Sequence, residues 1–488
     1  MTNTEKLYDY LKKCEKKLYQ IAMLYWEMDT AAPKKSMDYL IDVKTELELE
    51  VFEMNTSDEY KNLLDAVITS GEYETLTKEE QVFIDHEIES YERNSKVPSE
   101  FYEKYMKAIS NSKLAWKDAK EKKDYLLFKD HLIEVINLTK EYYRFQVPDA
   151  DDLYDVMLND YTRGMMQKEI TPLFDDLKEK IIPIIKNLKP RENLKSVKCD
   201  ELQLKEAGYY LLDYIGFDTE RGILGVYPHG YTTKLCRDDV RIAFGLDAPI
   251  YDFVSTIIHE GGHGIYDQSY GENVLKCPTY EVHSMGLHES QSRFFENILG
   301  RNINFWIPIY DDVKKILGNE DTLEEFASEL NNAKPSLIRT MADELTYCIH
   351  VIIRYEIERD LFNDKITPEE LPDVWNKKYK DYLGVDVPDD AQGIMQDVHW
   401  SEGSFGYFPS YILGSILDGM LLEKVEEELG SVDDILREGR IKEITKFLQD
   451  NIHKYAETYT YSEVCERVCG KPVSADPLVK YFEKKFGA

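Results

Sequence analysis

The sequence predicts a mainly α-helical fold with one small β-sheet. Three features carry that expectation. Apolar residues recur at helical spacing through most of residues 1 to 215 and again after residue 300. Alternating, strand-like segments are scarce. A single stretch, residues 221 to 249, interrupts the helical pattern with Gly222, Gly225, Gly230, Gly245, Pro228 and Pro249 around the β-leaning runs Gly225-Val226-Tyr227 and Val240-Arg241-Ile242.

In chain order, Leu7, Leu11, Cys14 and Leu18 mark one face of an opening amphipathic helix. This segment lacks the apolar run of a signal peptide, so export is not expected. Pro33, Pro98 and residues 147 to 152 punctuate a series of stacked helices. The small sheet follows. Immediately after it, Ile250, Phe253, Val254, Ile257 and Ile258 form an apolar helical stripe, while Asp252, Ser255, Thr256, His259 and His263 share the polar face. Leu287, Phe294, Phe295, Ile298 and Leu299 mark a second helix whose other side carries Glu289. Further helices are expected at Leu337 to Leu361 and Tyr411 to Glu428, with a flexible loop at Gly403 to Gly406.

The 488 residues, 43% hydrophobic and 31% charged, suffice for a large core and show no compositional break that would mark a disordered tail. We therefore read residues 1–488 as one catalytic unit, with an N-terminal helical part over about 1–215 and a site-bearing part over about 216–488. A formal charge of −33 repels phosphate backbones and anionic lipid, so nucleic acid and membranes are not expected partners. No apolar run approaches the roughly twenty residues a membrane span requires. Seven scattered cysteines, an odd number, fit a reduced cytoplasm better than a secreted disulfide framework. Cys465 and Cys469 read as packing residues.

The most informative residues are His259, Glu260 and His263, an H-E-x-x-H pattern on the amphipathic helix. Residues four apart are one turn apart, so both imidazoles can reach one metal ion while Glu260, about a hundred degrees around, stays free to act on water. Catalytic zinc usually takes a third protein ligand and keeps one position open. Glu289 is the best candidate, since the interval after His263 allows a turn and a returning helix. Glu281, His283 and Glu296 are rivals in the same region.

Several stretches together resemble the carboxypeptidase Taq family of thermostable metallocarboxypeptidases. The family's H-E-S-x-Q is similar to His288-Glu289-Ser290, with Gln291 one place early. Its I/L-R-x-x-A-D matches Ile338-Arg339-Thr340-Met341-Ala342-Asp343, and its G-x-x-Q-D-x-H-W matches Gly393 through Trp400. Two segments depart from the pattern: D-x-R-x-T appears as Asp239-Val240-Arg241-Ile242-Ala243, and H-P-F as His229-Gly230-Tyr231. Similarity extends to Trp26 through Thr30, Tyr154 through Met165, and Phe405 through Tyr411.

The resemblance implies a large helical zinc-peptidase fold with a deep cleft walled by N-terminal helices, a homodimer, and peptide substrates with a free C-terminus. It gives Glu289 the role of third metal ligand beside His259 and His263. Zinc is the expected ion, and cobalt suits the same ligands. Glu260 is the expected general base. His399 and Tyr407 are candidates to stabilise the developing oxyanion, with Tyr411 able to exchange roles with Tyr407. Because the acidic surface repels a terminal carboxylate, a cationic anchor is needed, and Arg339 and Arg241 are the candidates. His229 and Tyr411 are expected to contact substrate. The expected activity is release of single C-terminal residues with broad specificity. An endo-acting oligopeptidase or peptidyl-dipeptidase is the alternative, and a non-catalytic metal-binding helical protein a remote one.

Overall fold

A computed structural model describes residues 1–280 and 284–487. Two of the rival ligands, Glu281 and His283, lie outside the described residues. The chain begins with helices α1 (Asn3–Thr30), α2 (Met37–Asn55), α3 (Asp58–Thr69), α4 (Lys78–Asn94), α5 (Ser99–Lys122), α6 (Leu126–Gln146), α7 (Leu153–Tyr161), α8 (Gln167–Asn187) and α9 (Glu201–Ile215). Starts are set by local chemistry: Thr2 with Glu5, Thr77 with Glu80 and Asp200 with Gln203 form reciprocal capping boxes that satisfy free N–H groups.

Leu7, Leu11 and Cys14 of the first stripe are buried, and they pack on Tyr60, Leu64, Val67, Phe83 and Ile84 to make a small separate core of α1, α3 and α4. Helices α6 to α9 contribute instead to the main core, with Leu132, Phe174, Leu211 and Ile215 among its buried members. The main core thus joins α6 to α9 with the second half of the chain.

The interrupted stretch forms a three-stranded sheet of β1 (Gly222–Val226), β2 (Tyr231–Cys236) and β3 (Asp239–Phe244), in the order β1-β3-β2. β3 runs parallel to β1, with Gly222 opposite Val240, and antiparallel to β2, with Thr232 opposite Ile242. Alternation assigns the faces. Val240, Ile242 and Phe244 are fully buried towards the following helix, whereas Arg241 lies over the Trp26 ring of α1 on the other face.

That helix is α10 (Ile250–Gln268), and its expected apolar stripe is buried throughout. α11 (Met285–Arg293) passes directly into a π-helical segment at Phe294–Gly300. The remaining helices are α12 (Ile303–Trp306), α13 (Tyr310–Leu317), α14 (Leu323–Leu330), α15 (Glu344–Phe362), α16 (Leu371–Leu383), α17 (Pro409–Leu429), α18 (Val432–Arg437), α19 (Ile441–Asn451), α20 (Tyr461–Val464) and α21 (Asp476–Phe486). The helix expected from Leu337 begins at Glu344: Arg339–Met341 is a separate short turn, and Asp343 caps α15 by accepting from the N–H groups of Leu345 and Thr346. Among the described residues no helix is long and apolar enough to cross a membrane.

Candidate metal centre

His259 and His263 project from one side of α10 towards Glu289 of α11. Glu289 Oε2 lies 4.0 Å from His259 Nε2 and 3.5 Å from His263 Nε2. One ligand atom from each of the three residues lies within 4.8 Å of the others. The donor set is two imidazoles and one carboxylate, converging at a separation that a single divalent ion can span. The residues therefore fit a metal ion.

The far side of each imidazole is also fixed. His259 Nδ1 meets Glu296 Oε2 at 2.9 Å, and Glu296 in turn pairs with Arg301 at 3.0 Å. Glu296, a rival for the third ligand position, thus orients a ligand from behind. His263 Nδ1 lies 2.5 Å from His288 Nδ1, and His288 Nε2 lies 3.3 Å from Asp267 Oδ1. With His263 Nε2 turned to a metal, its Nδ1–H donates to His288, whose Nε2–H donates to Asp267. This sequence fixes both tautomers.

The electrostatics favour a cation. Burial would raise the Glu289 carboxyl, but the His263 hydrogen bond and the charges of His259 and Arg293 outweigh it and hold the group at about 2. Burial would lower His259, yet the bond to Glu296 and the nearby carboxylates raise it to about 9. A proton and a metal ion therefore compete for this imidazole. We predict that Glu296→Ala weakens metal affinity by about 10- to 100-fold, the usual cost of losing a group that orients a ligand. Competition with a chromophoric chelator measures this, and circular dichroism checks that the helices persist.

Glu260 points elsewhere. Its Oε2 accepts from Thr232 Oγ1 at 2.7 Å, so the edge strand β2 holds the carboxylate in place beside His259 and His263. Gly230, in the turn before β2, is close enough that a Cβ there would lie 3.2 Å from Glu260 Oε1 and 2.3 Å from Thr256 Cγ2. His229 is exposed in this turn, its ring edge-on to Tyr227 at 4.7 Å.

Backbone contacts hold α10, α11 and α17 together at the site. A Cβ on Gly262, inside H-E-x-x-H, would lie 2.7 Å from both Gln291 O and Ser292 Cα. One on Gly414 would lie 2.9 Å from Ser290 N and 3.0 Å from Glu289 C. Glycine costs about 1 kcal/mol of helix propensity relative to alanine, and here it permits the approach that brings Glu289 to the histidines.

Beyond the ligands, His399, Tyr407 and Tyr411 cluster together. The His399 ring lies 5.4 Å from that of Tyr407, and its Nε2 lies 3.3 Å from Tyr411 Oη. Burial and the Arg339 charge depress His399 to about 3, so its ring is neutral near pH 7. Burial raises both tyrosine hydroxyls, helped by the Glu289 charge at Tyr407 and by the neighbouring Tyr407 at Tyr411.

Both candidate anchors are paired within the protein. Three of the five Arg339 N–H groups are engaged: Nε and Nη2 donate to Asp397 Oδ1 at 3.0 and 2.9 Å, and Nη1 to Tyr347 Oη at 2.6 Å. Asp397 also accepts from Arg354 Nε at 2.6 Å, so two arginines share one carboxylate and the cluster keeps one net positive charge. Arg241 is not brought to the ligands at all. It makes a bidentate pair with Asp239 at 2.8 Å and faces α1, across the sheet from α10. Sequence reading missed Thr232, Asp267 and Arg354, and held His288 and Asp397 only as motif positions without a role; all five act by contact across distant segments.

Comparison with known proteins agrees with this geometry. The family described as Carboxypeptidase Taq (M32) metallopeptidase matches residues 6–486. Carboxypeptidase 1 of Bacillus subtilis (strain 168) is 34% identical over 499 residues, spanning 99% of this chain and 98% of its own. Thermostable carboxypeptidase 1 of Thermus thermophilus is 30% identical over 483 residues, spanning 96% and 95%. The crystal structure of the M32 carboxypeptidase from Deinococcus radiodurans R1 has a TM-score of 0.93 at 26% identity, with 99% of each chain covered. Full-length similarity, together with two histidines and a glutamate converging beside a second glutamate held by Thr232, shows that the chain belongs to the carboxypeptidase Taq (M32) metallopeptidase family and is a metallocarboxypeptidase.

Proposed function

We propose that this enzyme uses zinc held by His259, His263 and Glu289 to release single amino acids, with broad side-chain tolerance, from the C-terminus of peptides. The observation that carries the reading is the convergence of those three side chains with Glu260 held separately by Thr232. When bound, zinc supplies Lewis acidity to water and to the scissile carbonyl; cobalt fits the same donors.

The chain's own residues do the rest. Glu260 Oε1 takes a proton from the attacking water and returns it to the leaving amine, while Thr232 keeps Oε2 in place. The Tyr407 hydroxyl stabilises charge on the carbonyl oxygen, with Tyr411, 3.3 Å from His399 Nε2, able to take the same role. His399 Nδ1 is buried without a hydrogen-bond partner among the described residues, and a substrate group would satisfy it. The surplus positive charge of the Arg339–Asp397–Arg354 cluster anchors the terminal carboxylate, with Arg339 as the contacting residue. His229, exposed in the turn whose Gly230 lies against Glu260, is a further substrate contact.

Incubating one peptide with free and amidated C-termini tests the activity. Sequential loss of single residues from the free form alone is expected; internal cleavage of both forms would establish an endo-acting oligopeptidase instead. Arg339→Ala is expected to raise KM for free-carboxylate peptides about 10- to 100-fold, the value of a charge-assisted contact, with little change for amidated ones. Equal losses on both would remove the anchoring role.

A further inference from the structure

Glu358 of α15 is fully buried, carries no ion pair within 4 Å among the described residues, and belongs to none of the motifs that mark the site. Its two oxygens accept three hydrogen bonds. Oε1 accepts from Trp400 Nε1 at 2.6 Å, and Oε2 accepts from Gly406 N at 2.9 Å and from Tyr154 Oη of α7 at 2.9 Å. Trp400 directly follows His399, and Gly406 directly precedes Tyr407. One carboxylate thus holds both ends of the segment that presents the two residues assigned to the substrate carbonyl.

The same point is braced from α7. Gly406 has φ +89°, and a Cβ there would lie 2.9 Å from Met157 C and 3.0 Å from Met157 O, so the backbone rests directly on that helix. Between the anchors, Ser404 N donates to His399 O at 3.0 Å. A buried carboxylic acid is costly, and here the three converging donors from Tyr154, Trp400 and Gly406 offset that cost. We propose that Glu358 is a positioning residue for peptide hydrolysis, fixing Trp400 and Gly406 and through them the places of His399 and Tyr407 at the metal centre. The inference rests on the roles given above to His399 and Tyr407.

Chemistry distinguishes glutamate from its isosteric amide here. Burial raises the Glu358 carboxyl to about 7, so it exists in both states near neutrality. Protonation is tolerated because the Tyr154 hydroxyl can reverse and accept, leaving the Trp400 and Gly406 bonds in place. An amide cannot do this. In either orientation its NH2 faces the N–H of Trp400 or of Gly406, two donors in opposition.

The test is Glu358→Gln in the full chain with metal loaded. We expect unchanged metal content and far-ultraviolet circular dichroism, amide hydrogen exchange in residues 399–408 faster by about tenfold or more, and kcat lower by about a hundredfold with KM altered far less. Should this variant fail to fold, Trp400→Phe, which removes one donor and keeps an aromatic ring, carries the same expectation. Unchanged exchange across 399–408 overturns the clamp even if His399→Ala is inactive. Faster exchange with full kcat also overturns it, and full activity of His399→Ala would then trace the failure to the role assigned to that segment.

Discussion

Glu260→Gln protein should bind metal normally and lose peptidase turnover by about a hundred- to ten-thousand-fold, the range ascribed to one general acid–base group. The substitution separates chemistry from structure. A glutamine oxygen can still accept from Thr232 Oγ1, which lies 2.7 Å from Glu260 Oε2, so the side chain keeps its place. What the amide lacks is basicity. It cannot take the proton of the attacking water, and it has none to return to the leaving amine. Steady-state kcat on a short peptide, with metal content measured on the same sample, checks this. Near-wild-type turnover with full metal content would remove Glu260 from the reaction.

Gly262→Ala is the second large effect, and it acts through packing. The added Cβ would stand 2.7 Å from Gln291 O and from Ser292 Cα. Both are backbone atoms, so no rotamer change relieves the clash, and α10 and α11 must separate. Overpacking of this kind costs typically about 1–3 kcal/mol, against a gain of about 1 kcal/mol in helix propensity. Folding is therefore expected to survive while the distance between His263 and Glu289 does not. A displacement near 1 Å at reacting groups can cost about a hundredfold in rate, and metal affinity should fall with it. The neighbouring Gly261→Ala is the control. Its Cβ would meet the side-chain ends of Ile215 and Leu212 at 2.6 and 2.7 Å, contacts that can yield without moving α11. Equal losses in both variants would show that helix separation at Gly262 is not what sets the site.

The parts of this molecule that were legible in its sequence are those written in local periodicity. Ile250, Phe253, Val254, Ile257 and Ile258 announced α10 because each turn contributes to one buried face. His259 and His263 announced a shared ion because both fall on one turn of that helix. The sheet was legible as a region of glycine, proline and β-branched residues, but not its order, since the placing of β3 between β1 and β2 depends on pairings no local pattern records. Spacing made Glu289 the best candidate without excluding its rivals, and resemblance gave it the role of third ligand. The geometry then gave Glu296 a task of its own behind His259. Arg241 shows its charge in sequence and not its partner, Asp239, two residues away on the same strand face. Thr232, Asp267, Arg354 and Glu358 left no local signal, because each derives its meaning from a group far along the chain.

The glycine contacts that join α10 to α11 and α11 to α17 also bear on how the enzyme acquires its ion. Three rigid rods touching main chain to main chain keep their spacing whether or not a cation is present. Loading is then an exchange reaction at a finished receptacle, separate from the collapse of the polypeptide, so stripping with a chelator and refilling with a different divalent metal should proceed without passing through an unfolded state.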